Sequence, residues 1–324
     1  MSAKRPELTV GLSGPYYLHT LKKLLRELQP LFSLSEPHVV RVDLSGLTFM
    51  GPAALALTLA TLSKLRSEGL LAPGSVITAP RSQAMFTYLY RMDFLRVLFE
   101  DAHVEDPVER HVSTGLRECR HFTTEDECLQ AARDLAEAVE EKVSPDEMAK
   151  NSLYVCLSEL AENVFFHAAT PYGGFAAAQP FARSKEIEVA IVDLGVGIAA
   201  SLSQNPEYAA EVTDDLAAIK TAIRPTVTAT PGRNSGYGLA FTRFLLDINK
   251  GRLIVRSGRG YLQEGAHRVE RIDDYPLPGT LVALRLRTDR PFDSVKAWDL
   301  LTKAIEEILG AISDGFRASN DQAR

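Results

Sequence analysis

Cysteine is scarce in this chain. There are three in 324 residues, Cys119, Cys128 and Cys156, and their spacing matches no zinc-ligand pattern. The odd number fits a reducing compartment. No run approaches the roughly 18 apolar residues of a membrane span, and no signal peptide opens the chain, so a cytoplasmic protein is expected. Positive charge is not in excess: 36 Lys and Arg against 42 Asp and Glu leave a net charge of -6. A general nucleic-acid binder carries a basic footprint instead. The chain has no Gly-x-x-x-x-Gly-Lys-Ser/Thr loop and no strand-Gly-x-Gly-x-x-Gly opening, which removes the P-loop and Rossmann readings. No internal repeat or low-complexity tract is present. His111 and His121 lie on no long paired helix, so neither reads as a phosphoacceptor.

The length allows two domains. The first unit, residues 1–100, reads as strand Leu8–Leu12, a helix near Tyr16–Phe32, strand Val39–Leu44, a helix near Ala53–Ser67, strand Ser75–Thr78 and helical turns through Val97. Strands alternating with helices predict an open α/β layer. Residues 101–119 carry mixed charge and few large apolar side chains, as a linker would. Residues 120–290 form the second unit, opening on an amphipathic helix over Gln130–Lys142. Residues 291–324 hold a further amphipathic helix, Val295–Phe316, and a polar tail. The stripe Trp298, Leu301, Ile305, Ile308, Leu309 and Ile312 covers the chain's own core or forms a dimer seam.

Four short pieces of the second unit carry chemistry. The first is the helix expected over Ser152–Ala168, with Leu153, Val155, Cys156, Leu160, Val164 and Phe165 as its apolar side. Glu159 and Asn163 share a face one turn apart, and a carboxylate beside a carboxamide oxygen suits a hard cation and a polarised water. His167, two turns beyond Glu159, is either within reach of the same ligand or purely structural. The second piece follows the buried strand Glu186–Val192, which delivers Asp193 into Gly195-Val196-Gly197. The third is Gly232-Arg233-Asn234-Ser235-Gly236-Tyr237-Gly238-Leu239, leading into a helix near Leu239–Ile248. Glycines before a helix expose N–H groups at its positive end, a ready phosphate cradle. The last is Pro278-Gly279-Thr280, opening the apolar strand Leu281–Leu286. Each piece alone is an ordinary turn or helix face.

In this order the four resemble the GHKL (Bergerat) ATP-binding fold of gyrase-type ATPases, histidine kinases and anti-sigma serine kinases. The resemblance implies a two-layer α/β sandwich, a mixed sheet with helices on one face, binding ATP and Mg2+. It implies that Asn163 holds the magnesium, that Glu159 orients or deprotonates the attacking water, and that Asp193 reads the adenine amine above Gly195 and Gly197. Gly236, Tyr237, Gly238 and Leu239 then stand at the phosphates, Thr280 at the base, and His167, Arg224 and Arg233 within phosphate reach. The long segment from Ile198 to Gly232 becomes an ATP lid, with a helix over Asp214–Ile223 inside it.

In the first unit, Val42-Asp43-Leu44-Ser45-Gly46-Leu47-Thr48-Phe49-Met50, with Ser82-Gln83 through Arg91-Met92-Asp93-Phe94, resembles the STAS fold of anti-sigma antagonists. Where those carry a phosphorylatable serine, this chain has Gly51-Pro52-Ala53-Ala54. An interaction module for a protein partner is therefore expected rather than a phosphoswitch. The activity expected is Mg-dependent ATP binding and hydrolysis. An anti-sigma-type serine kinase acting on a separate STAS partner, and a non-catalytic nucleotide-gated module, remain open.

Overall fold

The computed structural model describes residues 5–98, 115–143, 145–168, 170–228 and 236–322, the side chains of 166, 167 and 311–322 excepted. The chain is a mixed α/β protein with parallel and antiparallel sheets. Its first part runs β1 (Glu7–Gly11), β2 (Gly14–Tyr16), α1 (Leu21–Phe32), β3 (Val39–Asp43), β4 (Leu47–Met50), α2 (Pro52–Ser67), β5 (Val76–Thr78), α3 (Gln83–Arg91) and α4 (Phe94–Leu98). Strands β1, β3 and β5 form a parallel sheet in that order, and β2 pairs with β4 beside it.

The second part runs β6 (Arg117–Phe122), α5 (Glu125–Val143), α6 (Glu147–His167), β7 (Gly174–Phe181), β8 (Glu186–Asp193), α7 (Gly197–Leu202), α8 (Pro206–Ala209), α9 (Asp215–Ala222), α10 (Gly238–Asn249), β9 (Arg252–Gly265), β10 (Val269–Arg287) and α11 (Ser294–Gln322). Its sheet has the order β6-β7-β8-β10-β9. Every neighbouring pair in it is antiparallel. The expected mixed sheet is thus corrected: a parallel pair needs a long crossover connection, whereas β7 to β8 is a four-residue turn and β9 to β10 a three-residue one.

The expectation of helices on one face is corrected as well. Strand β8 is buried almost end to end, and its alternate residues enter different cores. Ile187, Val189 and Ile191 pack with Leu157, Val164 and Leu245 of α6 and α10. Ala190 and Val192 pack with Leu55, Leu57 and Leu59 of α2, a helix of the first unit. Strands buried on both faces read as continuous apolar runs rather than as alternation, which is how Ile187–Val192 reads. Helix α2 is apolar on every side, and such a helix belongs inside a core. Residues from Pro52 through Leu62 are all buried. The three-stranded sheet, the α1/α2 layer, the five-stranded sheet and the α5/α6/α10 layer are therefore stacked in one body.

The seam between the parts is also polar. Glu188, fully buried on β8, accepts from the amide of Ala53 at 3.1 Å. Its other oxygen takes the Arg285 guanidinium at 2.6 Å. Pro52 at the first position of α2 lacks an N–H, so this carboxylate meets the first amide the helix end offers. At the other end of α2, Glu68 accepts from the Tyr172 hydroxyl at 2.8 Å. Helix α1 is tied to β10 by Lys22 at 3.4 Å from Asp273, which also holds the buried guanidinium of Arg256.

Candidate functional site

The C-terminal end of β8, the inner face of α6, the start of α10 and the Gly279–Thr280 turn meet around one cleft. It encloses about 820 Å³ of empty space, part of it open to solvent. Glu159 and Asn163 of α6 line it, with Asp193, Gly197, Gly236, Gly238, Leu239 and Thr280. Residues spread over more than 120 positions of sequence thus converge on one cavity. Leu160, Val164, Ile191, Ile198 and Val282 make much of the remaining wall apolar, as expected of a small-molecule site with a few placed polar groups.

Asp193 ends β8 and pairs in register with Thr280 of β10. Burial pushes its carboxyl up to about 7, while the amides of Gly195 and Thr280 favour the charged form. The Gly195 amide donates to Oδ1 at 2.8 Å. A carboxyl held in an apolar cleft with one edge already satisfied is a poised hydrogen-bond partner for a ligand.

At the helical end of the cleft, a Cβ on Gly238 would stand 2.7 Å from Cβ of Glu159. Glycine at this position lets α6 and the first turn of α10 approach closely. One turn away on each helix, Cys156 Sγ lies 2.7 Å from Thr242 Oγ1. Cys156 is fully buried, and burial pushes its thiol up to about 12, so it is a core residue. The Tyr237 side chain does not cap the start of α10, and among the described residues no side chain takes its first amides, which suit a ligand's oxygens. Gly236 has φ +70°, and a Cβ there would lie 2.7 Å from the Val227 carbonyl. It seats the approach to α10 against the segment 226–228. Glu162, one turn from Glu159, is half-buried, and its carboxyl is raised by burial and by the nearby charges of Glu159 and Glu125.

Other expected residues stand differently. Gly195 packs its backbone against the Ala168 carbonyl behind the cleft, and the amide of Val196 bonds that carbonyl at 2.8 Å. Tyr237 precedes α10, and its ring packs against the second core. Arg233 lies outside the described residues. His167 ends α6, and its side chain lies outside the description too. Arg224 is on the surface, held by Glu211 at 2.7 Å, and is not among the lining residues. Val155 is 42 % exposed, so it leaves the apolar side expected of α6.

Much of the segment expected to form a lid is a packed wall. Asp215 accepts from the Arg259 amide at 2.8 Å, seating α9 along β9. The Asn205 side chain donates to the Thr228 carbonyl at 3.0 Å. Ser201, Leu202, Ala222, Val227 and Thr228 line the cleft from this wall. Residues 229–235 lie outside the described residues.

Ser257 was not anticipated. Buried on β9, its hydroxyl accepts from the Ile198 amide at 2.9 Å and donates to the Gly279 carbonyl at 2.8 Å. It pins two segments of the cleft together. Its only sequence signal is its place two residues after the apolar run Leu253–Val255, beyond Arg256.

Among the described residues, no three His, Cys, Asp or Glu side chains stand together as a metal cage. The oxygen set Asn163 and Glu159 instead suits a magnesium ion delivered with phosphates, which takes one or two protein oxygens and keeps its waters. No protein-family model matches the chain, and no curated protein matches it. The functional reading therefore rests on the residues and geometry described above.

Proposed function

We propose that this protein binds Mg2+·ATP in the cleft and hydrolyses it, through a GHKL-type domain to which a STAS-like unit is fused. The observation that carries this reading is the convergence of Glu159, Asn163, Asp193, Gly236, Gly238 and Thr280, from four separate motifs, on one cavity. The placement of α6 and α10 together on the cleft side of the five-stranded sheet supports it.

Asp193 accepts the exocyclic amine of adenine, and the apolar wall takes the ring faces. The uncapped amides at the start of α10 cradle the phosphates. Asn163 would hold the magnesium ion, which would supply neutralisation of phosphate charge. Glu159 orients a water molecule towards the terminal phosphate and takes its proton as the P–O bond breaks. The first unit contributes the second wall of the sheet. The turn Gly51–Ala54 has no hydroxyl and is buried against Glu188, which argues against phosphotransfer within the chain.

The test is phosphate release from ATP and Mg2+ by the wild type beside Glu159→Ala. Release that falls by about 10²–10⁴-fold in the variant, with nucleotide still bound, supports the hydrolase reading. ATP binding by the wild type with no release would sink it. Transfer of the γ-phosphate to an added STAS protein would then identify a kinase.

A further inference from the structure

Ser201 is a polar lining residue that the proposed chemistry leaves unused. It lies on α7, one helical turn beyond Gly197, and is 7 % exposed. Among the described residues its hydroxyl makes no hydrogen bond to protein, unlike that of Ser203 two positions on, which donates to the Ala199 carbonyl at 2.8 Å. The residue is buried but its hydroxyl oxygen is not sealed from solvent, and the surface left to Ser201 belongs to the cleft, so a ligand seated there either pairs with this hydroxyl or strips it of water at a cost.

Its place along the cleft decides what it meets. Gly197, at the start of α7, stands against Ser257 and the Gly279 carbonyl, beside the Asp193–Thr280 pair. That is the end assigned to the base. Gly236 packs on Thr226 and Val227 and leads to Gly238 beside Glu159, the end assigned to the phosphates. Leu202, the next residue after Ser201, packs with Val227, on which Gly236 rests, so α7 runs from the first end towards the second and carries Ser201 on the way. In a nucleotide the sugar connects base and phosphates, so the sugar passes Ser201.

We infer that Ser201 hydrogen-bonds a ribose hydroxyl and makes the site discriminate against the nucleotide that lacks that hydroxyl. This rests on the nucleotide reading above and deepens it. A hydroxyl that loses its partner on binding a deoxy analogue stays buried and unpaired, which is the physical source of such discrimination.

The experiment measures dissociation constants for ATP, 2′-deoxy-ATP and 3′-deoxy-ATP with Mg2+, in wild type, Ser201→Ala and Ser201→Thr. The expected result is that wild type binds one deoxy analogue about three- to tenfold more weakly than ATP, the range of one neutral hydrogen bond. Ser201→Ala should bind the two alike, and Ser201→Thr, which keeps the hydroxyl, should retain the preference. Equal binding by wild type, or a preference that survives in Ser201→Ala, overturns the inference while leaving the nucleotide site standing. Failure of the wild type to bind any of the three overturns both.

Discussion

At the scale of single residues, the cleft depends most on Asp193. Its ordinary value is 3.8 and burial raises it to about 7. A raised carboxyl favours the folded state fully below its unfolded value, and that contribution is lost as pH rises through the folded one. Asp193→Asn keeps an acceptor for the Gly195 amide and removes the charge. The variant should therefore gain stability over wild type progressively between about pH 4 and 7, reaching on the order of 2–4 kcal/mol in urea titrations of ligand-free protein. A constant difference across that range would place the carboxyl on the solvent side. The same ionisation governs binding: an amine donating to Asp193 favours the carboxylate, so adenine nucleotide affinity should fall as pH drops below 7. Gly238→Ala should cost about 1–3 kcal/mol, as overpacking of a close helix contact does, and weaken nucleotide binding, which calorimetry would show.

Residues and elements were not equally legible. Asp193, Glu159, Asn163 and Gly238 could be read from sequence because each sits in a local pattern whose chemistry is set by its neighbours. Ser257 and Ser201 could not: each gains its meaning from a segment distant in sequence, and no spacing rule reaches across that gap.

At the scale of elements, α2 and β8 form the central contact. The continuous apolar run of β8 showed that it is buried, and the all-round apolarity of α2 pointed the same way. What hydropathy could not say is that each buries the other, because apolar patterning names faces and not partners. Strands β6, β7 and β9 escaped sequence reading for related reasons. Strand β6 is half charged, β7 is built around an alanine run, and β9 mixes arginines and glycines with its apolar positions. Leu57→Ala should lower unfolding free energy by about 2–5 kcal/mol, as for a buried leucine, seen as one shifted transition in chemical denaturation. Glu188→Ala leaves the Ala53 amide without its acceptor and frees Arg285 to Glu186 alone. Breaking a buried ion pair of this kind costs about 3–5 kcal/mol, with the Glu186 contact holding it to the lower end. A loss below 1 kcal/mol would mean that water replaces the carboxylate at the seam.

At the scale of the whole molecule, the two units share a core, so melting should be one cooperative event rather than two. Circular dichroism and intrinsic fluorescence should report coincident midpoints, and separated transitions would show that the halves unfold independently. Among the described residues, no helix is long and apolar enough to cross a membrane. Helix α11 packs its first turns on the body through Ala297, Trp298 and Leu301, with Trp298 stacked on Phe241 at 4.2 Å. Leu309 further along is 60 % exposed.

Helix α2 packs on α1 and α4 of its own unit and, across residues 99–114 in sequence, on β7 and β8 of the other. The packing across this contact should hold the two units together even where no peptide link joins them. Two polypeptides, 1–98 and 115–324, produced separately, should each be insoluble or unstructured, yet assemble when co-expressed into a species that restores the cleft. The pair would work as a fragment-complementation reporter whose signal depends on α2 reaching its slot beside β8.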